Sequence, residues 1–167
     1  MKRLSYIFTI LGILLTLFML ATHTTPAQLL SNGAGNELLT PMERGVVIIK
    51  SSQGTHHGIN VDIARSHKIQ EIGLMHRTEL PLSEGMLFIF DAPKEVTFWM
   101  KETLIPLDIL FIDSQNVIFN IIKNTTPLST TSLISGAPAT KVLEINANLT
   151  EQWGIHIGDT ITDSTQE

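Results

Sequence analysis

Cysteine is absent from the 167 residues. Without a thiol there is no disulfide framework, no thiolate zinc site, no cysteine nucleophile and no lipid-bearing cysteine behind the N-terminal apolar run. Charge is scarce too: 16% of residues are charged against 43% hydrophobic, with a net charge of −5. No basic cluster is longer than Lys2-Arg3, which argues against a nucleic-acid surface. There is no G-x-S-x-G elbow and no phosphate-cradling glycine loop, so hydrolase and nucleotide-binding readings lack their signatures. The six histidines, at 23, 56, 57, 67, 76 and 156, show neither H-x-H nor H-x-x-x-H spacing. The adjacent His56 and His57 would point to opposite faces of a strand. The pattern therefore calls for no metal and no cofactor.

What the chain does have is apolar material for a core, seven Phe and two Trp included, in a length that suits one domain plus an extension. Met1-Lys2-Arg3 gives a positive start, and Leu4 to Leu20 follows as 17 residues without a charge. Thr25-Pro26-Ala27 before Gln28 is a small-residue cleavage pattern. The run is long for a signal peptide and short for a membrane span, so 1–27 reads as either a cleaved signal or an uncleaved anchor. In both cases the positive start stays in the cytoplasm and the body crosses, to the periplasm or the extracellular side of the cytoplasmic membrane. Residues 28–44, with Asn32-Gly33-Ala34-Gly35-Asn36 and Pro41, read as a flexible linker. Residues 45–162 form the expected single β-rich domain, and 163–167 a frayed tail.

Within the domain, Val46 to Lys50 and His57 to Ala64 predict a hairpin, with Ile59, Val61 and Ile63 facing in. Ser66 can cap a short helix that weakens at Gly73. Met86 to Phe90 is apolar on both faces and reads as a central strand. The organising stretch is Val96 to Asp113, two apolar strands around a charged turn. Val117 to Ile122 and Lys141 to Asn146 are further strands, Leu149 to Trp153 one helical turn, and Gly158 to Ile161 a turn into a last strand. Seven or eight short strands joined by Gly and Pro turns, with one short helix, predict a mainly β, mostly antiparallel fold. A β-sandwich or barrel suits that pattern better than a βαβ sheet.

The candidate site residues are Arg77, Trp99, Lys101, Asp108 and Glu144. Asp108 shares a strand face with Leu110 and Ile112 and so begins a buried side. A buried carboxylate must be hydrogen-bonded, paired or protonated. The favoured reading is a structural acid fixed by an arginine or by backbone N–H groups, with Arg77 the first choice of partner and Lys101 the second. Glu144, between Leu143 and Ile145, poses the same question. Together the two acids would suggest a glycosidase-type pair, which needs a separation of about 5 to 10 Å. Along Val96 to Lys101, parity puts Val96, Phe98 and Met100 on one face and Thr97, Trp99 and Lys101 on the other. Trp99 is then either a stacking platform for a planar ligand or a cover over the sheet.

Several blocks resemble a known family: Gly73-Leu74-Met75-x-Arg77, Glu84-Gly85-Met86-Leu87-Phe88, and Phe98-Trp99-Met100-Lys101-x-Thr103-x-x-Pro106-Leu107-Asp108-Ile109-x-Phe111-Ile112-Asp113. With Val142-Leu143-Glu144-Ile145-Asn146 and Gly158-Asp159 they look like domain-of-unknown-function family 192, over roughly residues 45 to 161. Glu102 stands where relatives often carry Asn, and Asn146-Ala147-Asn148 where a glycine is more usual. The resemblance implies a mostly antiparallel, β-sandwich-like body behind an export signal. It implies no reaction and transfers no site residue. The expectation is an exported, non-catalytic β domain that binds a small ligand or a cell-envelope partner. The alternative is a glycan-acting enzyme using Asp108 and Glu144.

Overall fold

The computed structural model describes residues 42–165. The expected signal or anchor at 1–27, and the expected linker up to residue 41, lie outside the described residues.

The first hairpin forms as its alternation dictates. Strand β1 (Arg44–Lys50) pairs antiparallel with β2 (His56–Ala64), with Val47 opposite Ile59 and Gly45 opposite Val61. Strand β1 starts at Arg44, so the expected linker ends sooner than residue 44, and Met42 already packs against the core. Helix α1 (His67–Ile72) is capped by Ser66, whose hydroxyl accepts from the Ile69 N–H at 3.3 Å. It ends at Gly73 with φ of 50°, a left-handed value that suits glycine. The chain then enters β3 (Glu84–Lys94), which runs parallel to β2. That crossover through a helix is a small βαβ unit inside an otherwise antiparallel sheet.

Next come β4 (Thr97–Phe98), β5 (Leu107–Ile112), β6 (Ile118–Ile122) and β7 (Leu133–Ile134). They are followed by β8 (Ala139–Asn146), α2 (Leu149–Gln152) and β9 (Thr160–Asp163). Seven strands form one sheet in the order β6-β5-β8-β3-β2-β1-β9, and β4 and β7 form a separate small ribbon. The sheet curls until its edges meet: Val117 bridges to Thr160, the Ile118 N–H donates to Asp159 O at 2.8 Å, and the Ile161 N–H donates to Asn116 O at 2.9 Å. The fold is mainly β, as expected, but it is a single curled sheet rather than two facing sheets, and it carries two short helices.

Curling sorts the apolar residues into two cores. The inner one draws on all seven strands of the sheet, with Val47, Ile59, Val61, Leu87, Leu110, Ile118, Leu143, Ile145 and Ile161 among its members. The outer one lies on the other face of β2, β3, β5 and β8, where Ala64, Met86, Phe88, Ile109, Phe111 and Val142 meet Leu74, Val96, Met100 and Ile105 from the covering segments. One end of the inner core is closed by an ion pair: Lys141 Nζ lies 2.6 Å from Asp163 Oδ2, with the lysine side chain 7% and the aspartate 1% exposed. Burial alone would raise the Asp163 carboxyl. Hydrogen bonds from Lys141 and Thr165 and the lysine's charge outweigh it and hold the group below its ordinary value. Asp163 is therefore the end of a strand, not the start of a frayed tail.

Candidate functional site

Strand alternation fixes where the two interior carboxylates point. Asp108 pairs across β5 and β8 with Ile145, and Ile109 with Glu144. Residues directly opposite in an antiparallel ladder share a face. Asp108 therefore faces the inner core with Leu110 and Ile112, while Glu144 faces the outer core with Ile109 and Met86. The two acids lie on opposite sides of the sheet, and the paired-carboxylate geometry does not form.

Asp108 is fully buried and well satisfied. Its Oδ1 accepts from the Asn124 N–H at 2.9 Å, and its Oδ2 from the Thr150 N–H at 3.0 Å and the Thr150 hydroxyl at 2.7 Å. It thus ties the chain after β6 and the first residues of α2 to β5, through backbone N–H groups rather than a cation. The two expected partners are elsewhere. Arg77 Nη2 lies 2.5 Å from Asp62 Oδ2, in a surface cluster with Arg44 and Glu84. Lys101 Nζ lies 3.6 Å from Glu102 Oε1 and 5.8 Å from the centre of the Trp99 ring.

Glu144 is different. It is 4% exposed and has no hydrogen-bond partner among the described residues. Its backbone is held close to β3, because a Cβ on Gly85 would come within 2.6 Å of Glu144 O; only glycine allows that approach. Burial pushes the Glu144 carboxyl from its ordinary 4.5 up to about 8, so the group carries its proton at neutral pH. It lines a cavity of about 480 Å³, a size suited to a small ligand. Helix α1 forms one side, with His67, Gln70, Glu71 and Gly73, and the chain from Phe88 through Trp99 forms the other.

Aromatic rings dominate the second side. Phe88 and Phe98 meet edge to face at 5.0 Å, and Phe98 meets Phe111 in the same way at 6.1 Å. Trp99, 49% exposed, stands at the rim. Its neighbour Met100 is buried and donates its N–H to Ser129 O at 2.9 Å, which fixes where the indole can lie. Of the five sequence candidates, Trp99 and Glu144 share this cavity, and Lys101, Arg77 and Asp108 are not among its lining. Gln70 was missed: its side chain donates to Ile89 O at 2.8 Å and to Ala64 O at 3.1 Å, locking α1 against the sheet. Phe88 and Phe98 were visible only as apolar strand residues. Among the described residues no three His, Asp or Glu side chains are grouped to hold a metal ion.

Fold and cavity together define a class: a mainly β domain with a curled sheet and a ligand-sized pocket on its outer face. The chain belongs to the DUF192 family, described as "Uncharacterized ACR", which it matches over residues 48–162. Among solved structures it is similar to a protein of Sinorhizobium meliloti 1021 that bears the provisional name of a transcription regulator. The two are 34% identical with a TM-score of 0.73, over 75% of this chain and 97% of that one. It is also similar to a protein of unknown function from Novosphingobium aromaticivorans DSM 12444, at 39% identity and a TM-score of 0.68, over 70% and 83% of the respective chains. No curated protein matches the chain.

Proposed function

We propose that this chain is an exported, non-catalytic binding domain that takes a small ligand into the cavity over Glu144. The observation that carries the reading is a carboxyl, on a buried residue, that stands at the wall of an aromatic pocket with no hydrogen-bond partner among the described residues. A polar group so placed costs stability unless something satisfies it, and a bound ligand is a direct way to do so. The pocket has the usual composition of small-molecule sites, mostly apolar with a few convergent polar groups. The glycan-acting alternative is left without support by the opposite facing of Asp108 and Glu144, since that chemistry needs two carboxyls in one cleft, flanking the same bond of one substrate.

The test is a titration of the protein with one- and two-ring aromatic fragments, indole among them, followed in two-dimensional amide NMR spectra. Shifts should concentrate at Gly73, Phe88, Trp99 and Glu144. Trp99→Ala, which alters a half-exposed rim residue, should weaken them several-fold without changing the rest of the spectrum. Fragments that leave these resonances unmoved at millimolar concentration, or that bind elsewhere, would overturn the proposal.

A further inference from the structure

The class of ligand follows from what the cavity offers, and this step rests on the binding reading above. Glu144 differs from the other ionisable groups around the pocket. His67 and Glu71 on α1, and Lys94 and Glu95 at the end of β3 and just beyond it, are all exposed. Glu144 is buried between Met86 on β3 and Ile109 on β5, its directly opposed neighbours, and neither brings a charge or a donor. Its two paired neighbours therefore supply no counter-ion.

The walls add a second preference. Aromatic faces are negative and attract cations. Two such faces at this pocket already carry ammonium groups of the protein itself: Lys94 Nζ lies 4.6 Å from the centre of Phe90, and Lys101 Nζ 5.8 Å from that of Trp99. A ligand ammonium between Phe88, Phe98 and Glu144 would satisfy ring faces and carboxyl together. A neutral acceptor would use only the carboxyl proton, and an anion, though it could accept that proton's hydrogen bond, would meet the negative faces of the rings. We infer that the cavity takes a small organic cation, a primary amine or guanidine on an apolar or aromatic body, whose charged nitrogen donates to Glu144.

The ligand enters as its ammonium, the Glu144 O–H bond breaks, its proton leaves to solvent, and a carboxylate–ammonium pair remains. Burial that raises the carboxyl to about 8 makes this exchange measurable near neutrality.

The experiment compares 2-phenylethylamine with 2-phenylethanol, equal in shape and different in charge. Calorimetric titrations at pH 6.5 use two buffers of different ionisation enthalpy, on the parent, Glu144→Gln and His67→Gln. The expected result is amine binding at least tenfold tighter than the alcohol, with close to one proton released per amine. Both the release and the preference should be lost in Glu144→Gln and kept in His67→Gln. Amine and alcohol binding equally in the cavity, without proton release, would overturn the cation assignment while leaving the pocket a binding site. Selectivity that survives Glu144→Gln would overturn it as well. Absence of binding by either compound, with the cavity resonances unmoved, would overturn both this inference and the reading it rests on.

Discussion

Asp108 and Glu144 sit on neighbouring strands and meet the cost of burial in opposite ways. Asp108 is surrounded by donors, so removing it strands the Thr150 N–H and hydroxyl in the interior and breaks a part-buried bond from the Asn124 N–H. Each buried donor left without its acceptor costs about 1 to 3 kcal/mol, against a domain stability of about 5 to 15. Asp108→Ala should therefore lower the urea midpoint sharply or prevent accumulation. Asp108→Asn should recover only part of the loss, because its amide nitrogen faces donors. A variant as stable as the parent would show that Asp108 is not structural. Glu144 has no donor among the described residues, and its effect on stability depends on pH. Between 4.5 and about 8 the folded chain keeps a proton that the unfolded chain has released. Stability therefore falls as pH rises through that window, by on the order of 3 kcal/mol at pH 7. Below 4.5 both states are protonated and the penalty is absent. Glu144→Gln cannot titrate, so its advantage over the parent should be small at pH 5 and grow up to pH 8. Parallel urea-midpoint profiles for the two proteins would contradict a buried, protonated Glu144.

At the scale of elements, what could be read from the sequence was what local periodicity controls. The alternation of Ile59, Val61 and Ile63 placed β2 and its face, and the parity of Val96, Phe98 and Met100 matched their burial although β4 itself is only Thr97–Phe98. Parity also put Asp108 beside Leu110 and Ile112. The same rule could not say that Glu144 faces away from Asp108, because the relation between two strands depends on register, and register is set by pairs far apart in the chain. The parallel step from β2 to β3 was hidden for a similar reason: α1 is only six residues long, too weak a signal beside so many short strands. Arg77 was assigned to the wrong acid because loop geometry decides its partner, with His76 before it in a left-handed conformation at φ of 63°. Asp163 looked like a polar tail because nothing near it in sequence announces Lys141, its partner across the sheet.

For the whole molecule, closure and compartment are linked by what the chain does without. The inner core is sealed by the Val117–Thr160 bridge and the Lys141–Asp163 pair, so stability rests on burial and on polar groups satisfied inside the sheet. No disulfide has to form, and the body can fold in an oxidising or a reducing compartment alike. Compartment is then set by targeting alone, and we propose export on the strength of Lys2-Arg3 followed by the uncharged run from Leu4 to Leu20. Two measurements check it. Fractionation should place the body outside the cytoplasm, because a positive start retained inside leaves the following chain on the far side. Intact mass should then separate the two forms of export. A cleaved signal gives a soluble product lacking about the first 27 residues, whereas an anchor gives the full mass in the membrane fraction. Replacing Ile13 and Leu14 with Arg interrupts the apolar run without touching any residue of the folded body. That variant should stay in the cytoplasm, folded and of full length. Parent protein found soluble in the cytoplasm at full mass would overturn export and with it the envelope role, while the cavity and its ligand chemistry would be unaffected.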